Sequence, residues 1–180
     1  MNGRTAYKPM EKAKDKITRP PEYFMKAALK QAEKAFEEGE IPVGAVIVRE
    51  GRIIASARNT KERTVNALAH AEMNCILKAQ KKIKDWRLSD CEIYVTMEPC
   101  PMCTGAILNA RLKKVWFGTP DYKAGCCGTL YNLACDSRFL WQTEICGGIL
   151  REQCLRLIQD FFKEVRNRPK KSGDGVKTDN

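Results

Sequence analysis

Residues 91–110 read CEIYVTMEPCPMCTGAILNA, and they join a predicted strand to a predicted helix. The pattern predicts a strand over residues 91–97 and a helix over residues 99–110. Cys100 and Cys103 are three residues apart, so they lie on one face of that helix. Because a helix N-terminus stabilises thiolates and bound anions, this segment brings two reactive thiols to one place.

The segments on either side continue an alternation of strands and helices. The predicted strands are 43–49, 52–57, 114–118 and 144–146, and the predicted helices are 22–38, 70–82, a short one at 129–134, and 149–166. Glu50 and Gly51 lie between the first two strands and predict a tight hairpin turn. The alternation indicates a layered α/β domain, and the hairpin indicates that its sheet is mixed.

The composition is that of one folded domain with basic ends. The 180 residues have a net charge of +10, and 43% of them are hydrophobic, which excludes a disordered chain. Residues 1–19 carry six basic and two acidic residues, and residues 163–180 carry six and three. We therefore expect a folded domain at 20–166, between mobile basic tails at 1–19 and 167–180.

The cysteines and the start of the chain indicate a cytoplasmic protein. No apolar run is long enough to span a bilayer, and the first residues lack the apolar core of a secretion signal. Nine cysteines cannot all pair within one chain, so we expect reduced thiols. Seven of them are expected to be small hydrophobic core residues: Cys75, Cys91, Cys126, Cys127, Cys135, Cys146 and Cys154.

The single histidine begins a second motif, His70-Ala71-Glu72. One histidine excludes any metal site that needs two, but one imidazole with the thiolates of Cys100 and Cys103 is an accepted ligand set for catalytic zinc. That set leaves a fourth position for water, which the metal acidifies. Glu72 lies near the metal but faces differently, which suits a general acid and base.

Three other interpretations compete with a catalytic zinc. A redox C-x-x-C of the thioredoxin type would leave His70-Ala71-Glu72 unexplained. A structural zinc would need a fourth protein ligand, for which Cys126 and Cys127 are the nearest candidates by character. A zinc-stabilised RNA-binding protein without catalysis would have no use for Glu72.

The order H-x-E and then P-C-x-x-C resembles the zinc-dependent cytidine and deoxycytidylate deaminase superfamily, whose signature it is. The segments around it resemble the bacterial TadA-type tRNA-specific adenosine deaminases more specifically. They are GEIPVGAVIV (39–48), WRLSDCEIYVTMEPCPMC (86–103), VWFGTPDYKAGCCGTLYNL (115–133) and DFFKEVR (160–166). The stretch CDSRFLWQTE departs from the family, because Trp141 stands where relatives often carry histidines.

The resemblance implies a cytidine-deaminase-like fold, which is a three-layer α/β/α domain with a central mixed five-stranded sheet. It makes residues 20–166 the deaminase domain and implies a homodimer with one Zn²⁺ per subunit. The implied reaction is hydrolytic deamination of the wobble adenosine to inosine in a tRNA anticodon, with release of ammonia. The implied partner is the anticodon stem-loop of a tRNA of the tRNA-Arg type. Deamination of a free base or nucleoside, such as guanine, cytosine or cytidine, is the alternative.

The resemblance also implies roles for single residues. His70, Cys100 and Cys103 bind zinc, and Glu72 moves protons. The substrate is held by Asn59, by the pocket wall of Ile41, Pro42 and Val43, by the backbone of Ala71, and by Asp121, Lys123 and Phe162. Phosphate contacts are expected from basic residues: Arg58, Lys61, Lys123, Lys163 and Arg166. For Asp121 a hydrogen bond to a sugar and an ordering of its loop are both open.

Overall fold

Five strands and four α-helices make up residues 19–167, the part of the chain that the computed structural model describes. The predicted basic tails fall almost entirely on residues 1–18 and 168–180, which lie outside it. The helices are α1 (Pro21–Glu37), α2 (Ala71–Ile83), α3 (Pro101–Asn109) and α4 (Arg151–Asn167). The strands are β1 (Gly44–Arg49), β2 (Arg52–Arg58), β3 (Cys91–Met97), β4 (Lys114–Thr119) and β5 (Glu144–Gly147). Within the described residues, no helix is both long and apolar enough to cross a membrane.

The strands form one mixed sheet in the order β2-β1-β3-β4-β5. β1 is antiparallel to β2 and β3, whereas β3, β4 and β5 are parallel. The turn between β1 and β2 has positive φ at both Glu50 (50°) and Gly51 (72°), as the two-residue hairpin turns require. The register between these strands shifts between Ile47 and Val48, which is a β-bulge. The predicted hairpin and the predicted mixed sheet are both confirmed.

Alternation along β1 separates the two layers of helices. Ala45 and Ile47 pack in a core cluster with α2 and α3, and Val46 and Val48 pack on the other face with α1 and the start of α4. All four side chains are buried because helices cover both faces of the sheet. The predicted three-layer α/β/α fold is confirmed.

Gly44 at the start of β1 allows α1 to pack very close to the sheet. A Cβ at this position would overlap the carbonyl oxygen of Ala28 and would lie 2.5 Å from the backbone nitrogen of Ala32. Ala28 and Ala32 are themselves fully buried, so small residues meet on both sides of this contact. The backbone N–H of Gly44 donates to the hydroxyl of Thr96 at 3.1 Å, which ties β1 to the end of β3.

The predicted short helix at 129–134 is wrong, because only Leu133–Cys135 forms a single 3₁₀ turn. The preceding residues form a loop in which Cys127 and Asn132 pair as an isolated bridge. The backbone N–H of Thr129 donates to the carboxylate of Glu98 and that of Leu130 to the carbonyl of Gly125. The first four N–H groups of a helix have no acceptor inside it, so these two bonds alone do not prevent one. The N–H of Leu133, which a helix over 129–134 would direct to the carbonyl of Thr129, instead donates to that of Cys126 at 3.0 Å.

Candidate active site

Two helix N-termini meet at the candidate metal ligands. His70 is the residue before α2, Cys100 is the residue before α3, and Cys103 lies in the first turn of α3. The Nδ1 atom of His70 is 3.8 Å from the Sγ of Cys100 and 3.6 Å from the Sγ of Cys103. The three ligand atoms all lie within 4.8 Å of one another.

The spacing of these atoms fits a zinc ion. With Zn–N and Zn–S bonds of about 2.0 and 2.3 Å at a tetrahedral angle, a nitrogen and a sulfur ligand lie about 3.5 Å apart. The observed distances to His70 are close to this value. Within residues 19–167, no fourth His, Cys, Asp or Glu joins the group. Three protein ligands are typical of a catalytic zinc, because the fourth position stays available for water.

The other two candidate ligands make different contacts. The Sγ of Cys126 lies 3.5 Å from the carbonyl of Ala124, and the Sγ of Cys127 lies 3.8 Å from the hydroxyl of Thr104. The structural site with four protein ligands is therefore not formed in the described part of the chain.

The thiols and the imidazole are coupled through hydrogen bonds. The hydrogen bond with Cys103 lowers the pKa of Cys100 well below its usual range. The same hydrogen bond and burial hold the pKa of Cys103 far above its usual range. The hydrogen bond with Cys100 raises the pKa of His70. The protons of these hydrogen bonds lie between the atoms that would bind the metal. A divalent cation would replace the protons when it binds.

Glu72 is a buried carboxyl beside this group, with 4% of its surface exposed. It lies in the first turn of α2. Burial raises the pKa of Glu72 to about 7. A group that titrates near neutral pH can both accept and donate a proton during a reaction, as a general acid and base must.

Most of the predicted substrate residues surround one cavity of about 530 Å³ that opens beside Glu72. Its lining includes Ile41, Val43, Asn59, Lys61, His70, Ala71, Glu72, Cys100, Asp121, Lys123 and Phe162. Pro42 is buried and does not line the cavity, and Cys103 lies beneath it with no exposed surface. The volume is within the usual range for a small-molecule or nucleobase site.

The polar side chain of Asn59 is held by a carboxylate that the sequence analysis missed. The Nδ2 atom of Asn59 donates to the Oε2 of Glu40 at 3.2 Å and to the carbonyl of Ile41 at 3.4 Å. Glu40 is buried, and it also accepts the backbone N–H groups of Glu62 and Arg63. Since a carboxylate only accepts hydrogen bonds, Glu40 fixes which end of the Asn59 amide faces it. In the sequence, Glu40 could have been found through its position next to Ile41, a predicted residue of the pocket wall.

The expected phosphate contacts divide into two groups. Lys61 and Lys123 line the cavity. Arg58 instead forms an ion pair with Glu38 at 2.5 Å, and Lys163 lines a separate groove between α1 and α4. Arg166 is exposed near the end of α4 and does not line the cavity.

Asp121 orders the loop that follows β4. Its Oδ1 accepts the backbone N–H groups of Lys123 at 2.9 Å and Ala124 at 3.2 Å. This favours the loop-ordering role for its side chain. In α4, Phe161 is the buried member of the aromatic pair, and Phe162 is 40% exposed and reaches the cavity.

Several lining residues were not predicted. They are Met97, Glu98, Pro120, Tyr122, Ala124 and Ile158. Tyr122 lies between the predicted residues Asp121 and Lys123, and its 70% exposure makes it an available stacking surface. Ile158 is one turn before Phe162 on α4, so helical spacing was the signal for it.

Comparison with known proteins identifies the family of this chain. Residues 18–119 match the family described as "Cytidine and deoxycytidylate deaminase zinc-binding region". The chain is 48% identical over 149 residues to the tRNA-specific adenosine deaminase of Bacillus subtilis (strain 168), which covers 83% of this chain and 92% of the relative.

Two solved structures have the same architecture. One comes from biochemical and structural studies of A-to-I editing by tRNA:A34 deaminases, with a TM-score of 0.73 and 32% identity over 75% of this chain and 98% of that chain. The other is a guanine deaminase from Bacillus subtilis, with a TM-score of 0.56 and 32% identity over 86% of this chain and 99% of that chain. The chain therefore belongs to the zinc-binding cytidine and deoxycytidylate deaminase family and, within it, to the group of the tRNA-specific adenosine deaminases.

Proposed function

We propose that this protein converts the wobble adenosine, position 34 of a tRNA anticodon, to inosine by hydrolysis. The observation that carries the proposal is the cluster of His70, Cys100 and Cys103 next to the buried Glu72, at the base of a cavity in a chain 48% identical to a tRNA-specific adenosine deaminase. We further propose one Zn²⁺ per subunit, because the described residues hold one such ligand cluster.

Glu72 moves the protons that the reaction requires. Zinc, when bound, supplies a Lewis acid that makes water nucleophilic at neutral pH. The Glu72 carboxylate accepts one proton from the attacking water and delivers it to the ring nitrogen N1, and it then moves the second proton of that oxygen to the amino group, which leaves as ammonia. The bond from water oxygen to C6 forms, the bond from C6 to the amino nitrogen breaks, and inosine and ammonia are the products. Burial of Glu72 keeps this proton away from bulk water.

The remaining lining residues bind the extruded base. A stacked base hides its C6 atom, so the adenine must leave its stack to reach the site. Ile41, Val43 and Phe162 supply apolar walls, and Asn59 and the backbone of Ala71 supply polar contacts. Pro42 acts from behind this wall, because it is buried next to Ile41.

The partner in this proposal is the anticodon stem-loop of a tRNA of the tRNA-Arg type. Proteins recognise RNA loops through splayed bases, stacking and phosphate contacts. Lys61 and Lys123 lie at the cavity with the exposed ring of Tyr122, so cationic and stacking groups surround the place where the base enters. Because tRNA functions there, the proposal includes a cytoplasmic location for the deaminase domain at 20–166.

The homodimer is also a proposal, and it rests on exposed apolar side chains. Val65 is 93% exposed and Leu140 is 96% exposed, and Leu68 and Tyr131 are more than half exposed. A second copy of the chain that packed over these side chains would bury them. Sedimentation equilibrium of the protein should give twice the mass of one chain, and a monomer would contradict this part of the proposal.

The test compares substrates and one variant. We expect the protein to form inosine in a tRNA-Arg anticodon stem-loop that contains adenosine 34, and not to turn over guanine, cytosine or cytidine at a comparable rate. Glu72→Gln at equal zinc content should reduce the rate by about 10²-fold or more, since it removes the proton carrier. Activity on a free base alone would favour the guanine deaminase alternative, which the second structural match supports. Equal activity of the two proteins would contradict the role of Glu72.

A further inference from the structure

Glu98 is a buried carboxylate that the proposed reaction does not use. It follows β3 directly and precedes the zinc-ligand turn by one proline, and only 3% of its surface is exposed. A buried carboxylate is stable only if hydrogen-bond donors surround it. The donors around Glu98 therefore show what this residue organises.

Four donors from one loop converge on Glu98. Its Oε1 accepts the backbone N–H groups of Cys127 at 2.9 Å and Thr129 at 3.0 Å. Its Oε2 accepts the backbone N–H of Asp121 at 3.0 Å and the hydroxyl of Thr129 in a short hydrogen bond. The carboxylate of Glu98 thus connects the two ends of the loop 120–129, one at Asp121 and the other at Cys127 and Thr129.

The loop closes tightly around this carboxylate. A Cβ at Gly125 would overlap the Oε2 of Glu98, so the backbone of the loop passes directly over the carboxylate. The backbone of the zinc-ligand turn joins the same contact, because Cys126 donates its N–H to the carbonyl of Pro99 at 2.9 Å. The loop and the turn that carries Cys100 are therefore held as one unit.

Residues 120–124 of this loop form one wall of the active-site cavity. They include Tyr122, whose ring is exposed, and Lys123, whose amine can reach a phosphate. The position of these groups relative to the zinc ligands depends on the Asp121 end of the loop, where the Oε2 of Glu98 holds the backbone.

We propose that Glu98 is a positioning residue. It holds the substrate-binding wall, residues 120–124, at a fixed distance from the turn that carries Cys100. This inference rests on the proposed function and adds to it a residue that acts on substrate binding rather than on the chemical step. The wall contacts the RNA away from the reacting C6 atom. Loss of its alignment therefore weakens ground-state and transition-state binding alike, which raises KM and leaves kcat nearly unchanged.

The variant Glu98→Gln tests this with little change in volume. In this variant an amide nitrogen takes the place of one carboxylate oxygen. The Oε2 position is the better place for the nitrogen, because the hydroxyl of Thr129 can rotate and accept a hydrogen bond from it there. On that side the N–H of Asp121 loses its acceptor, whereas the N–H groups of Cys127 and Thr129 keep theirs. We expect hydrogen exchange at the Asp121 amide to rise at least about tenfold, with the other two amides unchanged.

Glu98→Gln should also change the KM for the substrate. For the adenosine-34 stem-loop, KM should rise about tenfold while kcat stays within about twofold, and zinc content should match that of the wild type. Thr129→Val is the matched control, since it keeps the carboxylate and its three backbone bonds, and its KM should stay near the wild-type value. Glu98→Asp keeps the charge but withdraws it by one methylene, so it should shift the same two measurements if the Gln variant does not fold.

Unchanged exchange at Asp121 with unchanged KM would overturn the proposal. Loss of zinc together with a fall in kcat would also overturn it, because Glu98 would then serve the metal site. If the wild-type protein does not deaminate the stem-loop, the proposed function fails. The exchange measurement still decides whether Glu98 holds the loop, so the two failures are distinguishable.

Discussion

At the scale of single residues, the candidate metal site includes a thiol that has no exposed surface. Cys103 is fully buried beneath the cavity, and its Sγ lies 3.6 Å from the Nδ1 of His70. We expect Cys103→Ala to lose most of its zinc, because two ligands hold the ion far less tightly than three. Zinc per chain, measured by mass spectrometry of the purified protein, gives the result.

Cys75→Ala is the control for this loss. Cys75 is also fully buried, but it bonds to the carbonyl of Ala45 and does not join the ligand group. This variant creates a similar small cavity and should keep its zinc. Equal zinc content in the two variants would contradict the assignment of Cys103.

Glu72 should make the stability of the zinc-free protein depend on pH. Burial raises the pKa of Glu72 from its ordinary value of 4.5 to about 7 in the folded chain. Below pH 4.5 the group is protonated in both states and has no effect. As the pH rises from 4.5 to 7, the unfolded state ionises first, so folding loses up to about 3 kcal/mol.

Urea unfolding in the presence of a chelator measures this change. Relative to Glu72→Gln, the free energy of unfolding of the wild type should fall between pH 5 and 7 and level off above pH 7. A difference between the two proteins that stays constant with pH would show that the folded carboxyl titrates at its ordinary pKa.

The ligand cluster was open to prediction because its residue types and spacing carry the chemistry. His70, Glu72, Cys100 and Cys103 belong to two short motifs that can be found without knowing the fold. The role of Glu98 could not be found in this way. Its partners Asp121 and Thr129 are 23 and 31 residues away, and nothing local requires their N–H groups to turn towards it.

At the scale of elements, two glycines should respond oppositely to the same substitution. Gly44→Ala places a Cβ against the backbone of α1, and we expect it to cost about 1–3 kcal/mol in the free energy of unfolding. Gly105 lies inside α3 with no atom within 4 Å of a Cβ, so Gly105→Ala should stabilise the protein by about 0.5–1 kcal/mol.

Urea titrations of the two variants and the wild type compare these effects directly. Both variants add the same methyl group, so comparing them separates the cost of close packing at Gly44 from the general effect of an alanine substitution on stability. A loss of stability at Gly105 equal to that at Gly44 would contradict the packing described for α1.

The elements themselves follow from local patterns, with one exception. Each of the five strands and four helices lies where periodicity or turn residues predicted it, within a few residues. The helix expected at 129–134 failed because Glu98 holds the backbone of Thr129 in the loop, and the N–H of Leu133, which a helix would direct to Thr129, donates to the carbonyl of Cys126. Competition from a side chain in a distant strand-to-helix turn is a tertiary effect that a local pattern does not contain.

At the scale of the whole molecule, the ligands join parts of the chain that are 30 residues apart. His70 directly precedes α2 and Cys100 directly precedes α3, so an ion bound by both residues would hold the two helix starts together. We expect removal of zinc by a chelator to lower the unfolding temperature by about 5–10 °C, and re-addition of zinc to restore it. The Cys103→Ala variant provides the comparison, since its unfolding temperature should not respond to the chelator.

The two edges of the sheet also affect how the protein behaves in a crowded solution. An exposed strand edge can template the addition of strands from other chains, which leads to aggregation. One edge here is β5, with four residues, and the other is β2, which begins with the charged Arg52 and pairs with β1 through the bulge at Ile47 and Val48. Short length, charge and a bulge each discourage further pairing. The sheet order therefore keeps the apolar strands β1 and β3 inside, where they cannot pair with strands of other chains.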